Sequence, residues 1–366
     1  MNTAEHLKIE DLHTYFYSNV KRAFIHSVNG VSLTVNKGET LGIVGESGSG
    51  KSISMLSTMG LINAAPGVLQ GEVTLHTKQG SESLLKGLDQ FVKIDIQDKR
   101  IISVKKDLNA WNKQVENNMK HIRGKEISMI FQNPKAAMNP YETIGKQIVE
   151  MVLLHTELRN KHEAKEKAVY WLERVKIDSP QWRFDNHPFG LSGGMCQRAM
   201  VAMALSSEPS LLIADEPTTG LDATIQSKII DLLAELQQEL GITMVLISHD
   251  ISVISRLSDN IAVMYSGTVM EQGPAKAVLD VNSDKTHPYT QALLSSVPEE
   301  HNLLANGHLK SIDGEVPDTI DIPAGCRFYA RCKMKHSGIE KQCHHENPPF
   351  QEISPGHRVR CWLRIN

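Results

Sequence analysis

Charge of one sign is what this sequence most plainly lacks. Thirty-nine Lys and Arg stand against 42 Asp and Glu, a formal net charge of −3, and that near-balance gives no footing to a nucleic-acid binder, which advertises a basic face. Long hydrophobic runs are missing as well. No stretch approaches the roughly eighteen apolar residues of a spanning helix, and the N-terminal MNTAEHLKIEDL has no apolar signal core. The chain is therefore expected to stay in the cytoplasm. Cysteine is scarce: 5 in 366 residues, too few for the disulfide framework of a secreted scaffold. Four of them nevertheless fall between residues 326 and 361, a clustering that asks for its own explanation. The remaining composition is ordinary. Hydrophobic residues at 40% and charged residues at 22% fit a globular protein with ample core, and the length suggests one large domain with an appendage, or two domains.

What the sequence does hold is a glycine-rich loop. GESGSGKS, residues 45–52, lies between an apolar run, LGIV at 41–44, and a run from Ser52 through Leu61 that reads as a helix. Gly45, Gly50, Lys51 and Ser52 take the defining positions of G-x-x-x-x-G-K-[ST], with Glu46, Ser47, Gly48 and Ser49 between them. Glycines let the backbone curl until several N–H groups point into one concavity, and the helix behind adds the positive end of its dipole. An anion fits there. Lys51 would reach the β and γ phosphates of a nucleotide, and the Ser52 hydroxyl would ligate Mg2+. The strand-to-helix setting argues against a plain glycine turn with a chance lysine.

Two further strands end in chemistry. LLIADE at 211–216 closes on a pair of carboxylates; Asp215 belongs near the metal, and Glu216, one residue on, can polarise the water that attacks the γ phosphate. TMVLISHD at 243–250 delivers His249 at the carboxyl end of a buried run, where ligands of parallel α/β sheets collect.

LSGGMCQR, residues 191–198, resembles the signature of ATP-binding-cassette ATPases. The order P-loop, SMIFQNP, LSGG, LLIADE, TGLD, SHD across residues 45–250 resembles that family throughout. The resemblance implies an α/β P-loop nucleotide-binding domain, with a RecA-like core, an antiparallel β subdomain and a helical subdomain. It gives Gln132 the role of sensing metal, attacking water and the membrane partner, and Asp222 that of communicating across a dimer. Ser192, Gly193 and Gly194 would bind the γ phosphate of ATP held by the opposite subunit. Tyr15 or Phe16, in HTYFYS, would stack on adenine. Two positions depart from the family's commoner pattern: Met195 stands where the signature usually has glutamine, and TGLD replaces SALD. With Glu216 and His249 both present, neither departure implies a dead site.

By the same resemblance, residues 1–275 form the nucleotide-binding domain, with residues 136–190 as its helical subdomain. There Ala164, Ala168, Trp171, Leu172 and Val175 mark one helical face. Residues 76–125 form an enlarged insertion. In it VKIDI and RIISV can pair as a hairpin before a charged helical stretch, DLNAWNKQVENNMKHIRGKE; a solvated decoration is the expectation, and a docking site for a partner specific to this protein is the alternative. Residues 276–366, from THPYTQALLSSVP to GHRVRCW, resemble the C-terminal extension of the oligopeptide and dipeptide importer branch, which also serves some nickel uptake systems.

The implied protein is a transport ATPase on the cytoplasmic face of the inner membrane, binding ATP and Mg2+. Its implied partners are two permease subunits, a second ATPase subunit, similar or identical, and, through the complex, an extracytoplasmic binding protein; no nucleic acid is expected. A soluble cassette ATPase of DNA repair or translation is the rival, but sustained heptads and a second cassette are missing. A non-hydrolysing ATP sensor is disfavoured because Glu216 is present. Cys326, Cys332, Cys343 and Cys361 have spacings of five, ten and seventeen intervening residues, without a C-x-x-C pair. Spacing leaves an iron–sulfur cluster, zinc aided by His344 or His345, and free thiols all open; the resemblance to the importer extension favours a [4Fe-4S] cluster.

Overall fold

The structure, a computed structural model, describes residues 4–97, 100–296, 312–317, 319–320 and 322–365. It divides into two compact units. One takes Asn36–Thr40 and Met119–Ile247; the other takes Glu5–Val35, Leu41–Asn118 and the described part of Ser248–Asn366.

The first unit is built on three parallel strands. Leu211–Asp215 is central, pairing in register with Ile127–Ile130 on one side and with Thr243–Ile247 on the other. Every residue of all three is buried, which is why these runs are continuously apolar instead of alternating. The helices start where the sequence supplies caps: Thr143 for Ile144–His155, Asn160 for Lys161–Arg174, Ser192 for Gly193–Leu205 and Asp222 for Ala223–Leu240. The expected face is the buried one, with Ala164, Ala168, Trp171, Leu172 and Val175 all inaccessible. Arg174 with Glu239, and Lys176 with Glu235, clip the end of this helix to the long Ala223–Leu240 helix.

The second unit carries a four-stranded antiparallel sheet in the order Ala23–Asn36, Glu5–Ser18, Pro66–Thr77, Gly80–Ser83. It also carries Leu41–Val44 running parallel to Asn260–Tyr265. Beyond that lie Thr268–Pro274, His357–Val359 and Gln351–Ser354, each antiparallel to its neighbour. Asn260–Tyr265 and Thr268–Pro274 form a hairpin that turns at Ser266 and Gly267, both residues having the positive φ (44° and 77°) that a tight two-residue turn needs. The helix after the glycine loop is Lys51–Thr58, shorter than the 52–61 run, because Gly60 takes a left-handed φ of 62° and ends it.

Residues 92–119 form the expected hairpin, Val92–Gln97 with Arg100–Lys106, and a helix, Leu108–Met119. The segment is not solvated on every side: Trp111, Val115 and Met119 recur at i, i+4, i+8 and are buried, while Ile102 and Leu108 are exposed. Lys106 anchors the segment to the antiparallel sheet. Its ammonium donates to the carbonyls of Pro66 and Val68, 2.7 Å each, lies 3.4 Å from the centre of the Trp111 ring, and has its pKa lowered to about 7 by burial.

The chain end is irregular but not coreless. Tyr265, Tyr289 and Phe328, all buried, form a triangle of rings with centroids 4.6, 5.3 and 5.2 Å apart. Beside it the fully buried carboxylate of Glu271 accepts from His357 Nε2 at 2.7 Å, from the His287 N–H at 2.9 Å and from Thr290 Oγ1. A buried carboxylate stripped of one partner is left uncompensated, at a cost of roughly 3 kcal/mol. His357→Ala is accordingly expected to lower the melting temperature by several degrees, while an exposed control such as His345→Ala leaves it unchanged; calorimetry of the purified chain checks this.

Candidate functional site

Each unit carries part of the chemistry the sequence points to. In the second unit, the strand ending at Val44 opens into the glycine loop, and Gly50 starts the helix from a left-handed φ of 96°. A Cβ there would lie 2.3 Å from the Ser27 carbonyl oxygen, so no other residue fits. Lys51 is buried at 6% exposure, its Nζ donating to the carbonyls of Gly45 at 2.8 Å and Glu46 at 3.1 Å. The ammonium thus arches over the loop that carries it, adding full charge to a concavity of backbone N–H groups.

Of the two aromatic candidates near the start, Tyr15 is 5% exposed and engaged. Its hydroxyl donates to Asn29 Oδ1 at 2.6 Å, its ring lies 4.0 Å from that of His26, and burial pushes its pKa up to about 12. Phe16 is half-buried. His249 is exposed. Its neighbours hold the backbone on both sides: the Ser248 N–H donates to the Ile43 carbonyl at 3.2 Å, and Asp250 caps the Ile251–Leu257 helix through the Ser252 N–H at 2.8 Å.

In the first unit, Asp215 closes its strand almost fully buried. Glu216 follows with a φ of 44°, a left-handed conformation costing about 1 kcal/mol or more for a residue with a Cβ. Its N–H is held by the Ile247 carbonyl at 2.9 Å. Its carboxylate oxygen Oε2 accepts from Gln132 Nε2 at 2.8 Å and from Thr219 Oγ1 at 2.8 Å. The two neutral donors, Gln132 and Thr219, both converge on one oxygen of that carboxylate. Thr219 escaped the sequence reading. Its only signal is a hydroxyl three residues after the acidic pair, in a loop where threonine is commonplace.

The LSGG segment is a helix start. Ser192 caps the 13-residue helix Gly193–Leu205, its Oγ accepting from the Met195 N–H at 3.3 Å; Ser192 and Gly193 are exposed. A Cβ on Gly194 would meet Ile225 at 2.8 Å, so the glycine lets the Asp222-capped helix approach closely. Asp222 Oδ1 accepts from the Ile225 N–H at 3.0 Å. Two helix N-termini therefore stand side by side, and N-termini favour anions.

The four clustered cysteines line one cavity of about 20 Å³, with His287, Phe328 and Trp362 among its other walls. Cys326 donates its backbone N–H to the Cys343 carbonyl at 2.8 Å. Burial and then the neighbouring thiols push the pKa of Cys326 up to about 12; burial likewise raises Cys361 to about 11. Among the described residues none of them is in a disulfide. Among the described residues no three His, Cys, Asp or Glu side chains converge tightly enough to share a single metal ion. His344 and His345 pack against each other, ring centroids 4.5 Å apart, and are absent from the cavity wall. Cys196 is buried beside its own helix, its thiol 3.2 Å from the Pro188 carbonyl.

A lysine-capped glycine loop and a preset carboxylate after a buried aspartate are the equipment of a P-loop nucleoside-triphosphatase. The "ABC transporter" family model matches residues 28–219, and the "oligopeptide/dipeptide transporter, C-terminal region" model matches residues 270–338. The oligopeptide transport ATP-binding protein AppD of Bacillus subtilis (strain 168) is 39% identical over 358 residues, spanning 98% of this chain and 96% of that one. The dipeptide transport ATP-binding protein DppD of the same organism is 39% identical over 360 residues, spanning 98% and 94%. Among solved structures, the dimeric post-hydrolysis state of an ATP-binding cassette bound to ADP and Pi superposes with a TM-score of 0.56 at 25% identity. It covers 74% of this chain and 98% of that one. The chain belongs to the ABC transporter family, and it is an ATPase of the kind those transporters couple to transport. No helix among the described residues is long and apolar enough to cross a membrane.

Proposed function

We propose that this chain is the ATP-hydrolysing motor subunit of an importer of di- and oligopeptides, acting at the cytoplasmic face of the membrane. It would pair with a second cassette and drive two permease subunits fed by an extracytoplasmic binding protein. The observation that carries the reading is the union, in one chain, of the complete cassette motif set with a C-terminal region of the oligopeptide/dipeptide type. Division of the chain into a nucleotide-binding domain, 1–275, with an insertion at 76–125 and a helical subdomain at 136–190, and an extension, 276–366, belongs to the same proposal.

The loop N–H groups and Lys51 bind the β and γ phosphates, and Phe16, the aromatic less engaged than Tyr15, stacks on adenine. Ser52, Asp215 and Gln132 offer the hard oxygen donors that suit magnesium, which neutralises charge developing on the phosphate oxygens. Glu216 accepts a hydrogen bond from the attacking water, His249 contacts the γ phosphate, and Gln132 reports the state of the site to the permease. Ser192, Gly193, Gly194 and Asp222 complete the site of the opposite cassette. Purification of the intact membrane complex tests the reading. Permease subunits should copurify, and peptide-loaded binding protein should stimulate ATP hydrolysis. Copurification without membrane proteins, or stimulation by nickel and not by peptides, would replace it.

The cysteine cavity supports a finer assignment, a [4Fe-4S] cluster held by Cys326, Cys332, Cys343 and Cys361. Four thiols in the wall of one cavity, with neither His344 nor His345 among the lining residues, suit a cluster better than zinc aided by those histidines. Iron–thiolate bonds would take the place of thiol protons and fix a segment of short elements. The role would be structural or regulatory, because ATP hydrolysis transfers no electrons. Protein purified without oxygen is expected to be brown, with about four iron and four sulfide per chain. A colourless protein with four titratable thiols here would refute the assignment.

A further inference from the structure

Glu46, the second residue of the glycine loop, is held from three directions. Its carboxylate meets the Arg331 guanidinium in a bidentate pair, Nη1 to Oε2 at 2.7 Å and Nη2 to Oε1 at 3.0 Å. Its N–H donates to the Tyr289 hydroxyl at 3.0 Å. Its carbonyl accepts from Lys51 Nζ at 3.1 Å. The remaining guanidinium donors are also used. Nε donates to the Asp313 carbonyl at 3.0 Å, Nη2 to that of Ile312 at 3.3 Å, and Nη1 to the Tyr265 hydroxyl at 3.3 Å. Arginine has five N–H groups, and all five have acceptors. The Arg331 side chain is 5% exposed and that of Glu46 27%, so the pair is shielded from solvent.

Surface ion pairs contribute little, and nothing about the loop's fold demands this one, since glycines and the Lys51 helix already set its backbone. A fixed, planar, fully saturated fork on the one acidic residue of the loop does something else. It compensates the Glu46 carboxylate, whose charge beside the loop would otherwise repel phosphate. It also holds the Glu46 carbonyl where it receives Lys51. Arg331 lies in the short Tyr329–Arg331 turn directly before Cys332, so the same turn that presents a cavity cysteine presents the fork.

We propose that Arg331 is a positioning residue for the nucleotide loop: by pinning Glu46 it makes MgATP affinity depend on the folded state of the cysteine segment. The inference rests on the nucleotide-binding reading above. Linkage makes the dependence reciprocal, so bound nucleotide protects the cysteine segment to the same factor.

The experiment titrates MgATP into the full-length purified chain and follows steady-state hydrolysis in parallel. The wild type is measured first, because a wild type that binds no MgATP defeats the nucleotide-binding reading itself. Given wild-type binding, Arg331→Met is expected to weaken MgATP affinity and raise KM about tenfold, leaving kcat within about twofold. Arg331→Lys, which keeps charge but loses the fork, should fall between. Should Arg331→Met fail to fold, Glu46→Gln keeps shape and removes the pair from the loop side. Its own loss of repulsion makes it milder, and in combination with Arg331→Lys the effects should be less than additive. Cysteine accessibility to a thiol reagent, with and without MgATP, reads the reciprocal arm; ATP should slow labelling of wild type and not of Arg331→Lys. Unchanged KM and unchanged labelling in the variants, or strictly additive effects of Arg331→Lys and Glu46→Gln, would overturn the inference.

Discussion

Glu216→Gln is expected to bind MgATP as well as the parent chain and to turn it over at least about a hundredfold more slowly. The structure explains why so small a change is clean. Glu216 Oε2 accepts two hydrogen bonds, from Gln132 and Thr219, and a glutamine can keep both. Its amide oxygen accepts one, while the Gln132 amide can flip or the Thr219 hydroxyl rotate to receive the new NH2. The backbone N–H stays bonded to the Ile247 carbonyl, so the left-handed turn survives. What is lost is the negative charge that, in the proposed role, polarises water, and the capacity to accept its proton. Single-turnover hydrolysis beside equilibrium MgATP binding makes the measurement. Near-normal turnover would move the role to another group, with His249 first in line.

Much of this site was legible because its requirements are local. A loop that must curl tightly spells its glycines in order, and a strand buried on both faces spells a continuous apolar run up to Asp215. A helix start spells its cap at Ser192. The fold of residues 92–119 was half legible: the strands showed as VKIDI and RIISV, but Trp111 and Lys106 do not reveal that they meet over the Pro66 and Val68 carbonyls. What the sequence hid are contacts between distant residues. Arg331 and Glu46 lie 285 positions apart, and neither is unusual in its own neighbourhood. The choice between Tyr15 and Phe16 was hidden likewise, because the burial of Tyr15 depends on Asn29 and His26 across a strand pair. Tyr265, Tyr289 and Phe328 likewise come from three separate stretches of the chain and close on one another only in the fold.

Ser192→Arg is the second large effect expected, and it separates binding from assembly. At the start of the Gly193–Leu205 helix the cap, Ser192, and Gly193 are exposed, so an arginine side chain at 192 can point into solvent within its own chain. Losing the cap costs about 1 kcal/mol, a matter of stability that Ser192→Ala shares. MgATP binding by the isolated chain should therefore stay within about twofold in both variants, since the glycine loop and Lys51 are untouched. The variants should part when two cassettes close. In the proposed two-cassette arrangement the opposite subunit's γ phosphate needs helix-end N–H groups at close range, and a bulky side chain in that approach keeps the surfaces apart. Introduced into a Glu216→Gln background, where unhydrolysed ATP holds closed dimers, Ser192→Arg should abolish the ATP-dependent dimer peak in gel filtration, and Ser192→Ala should only diminish it. If Ser192→Arg lost MgATP binding and dimerisation together while Ser192→Ala lost neither, the segment would be serving the nucleotide of its own subunit, and the two-cassette arrangement would be wrong for this chain.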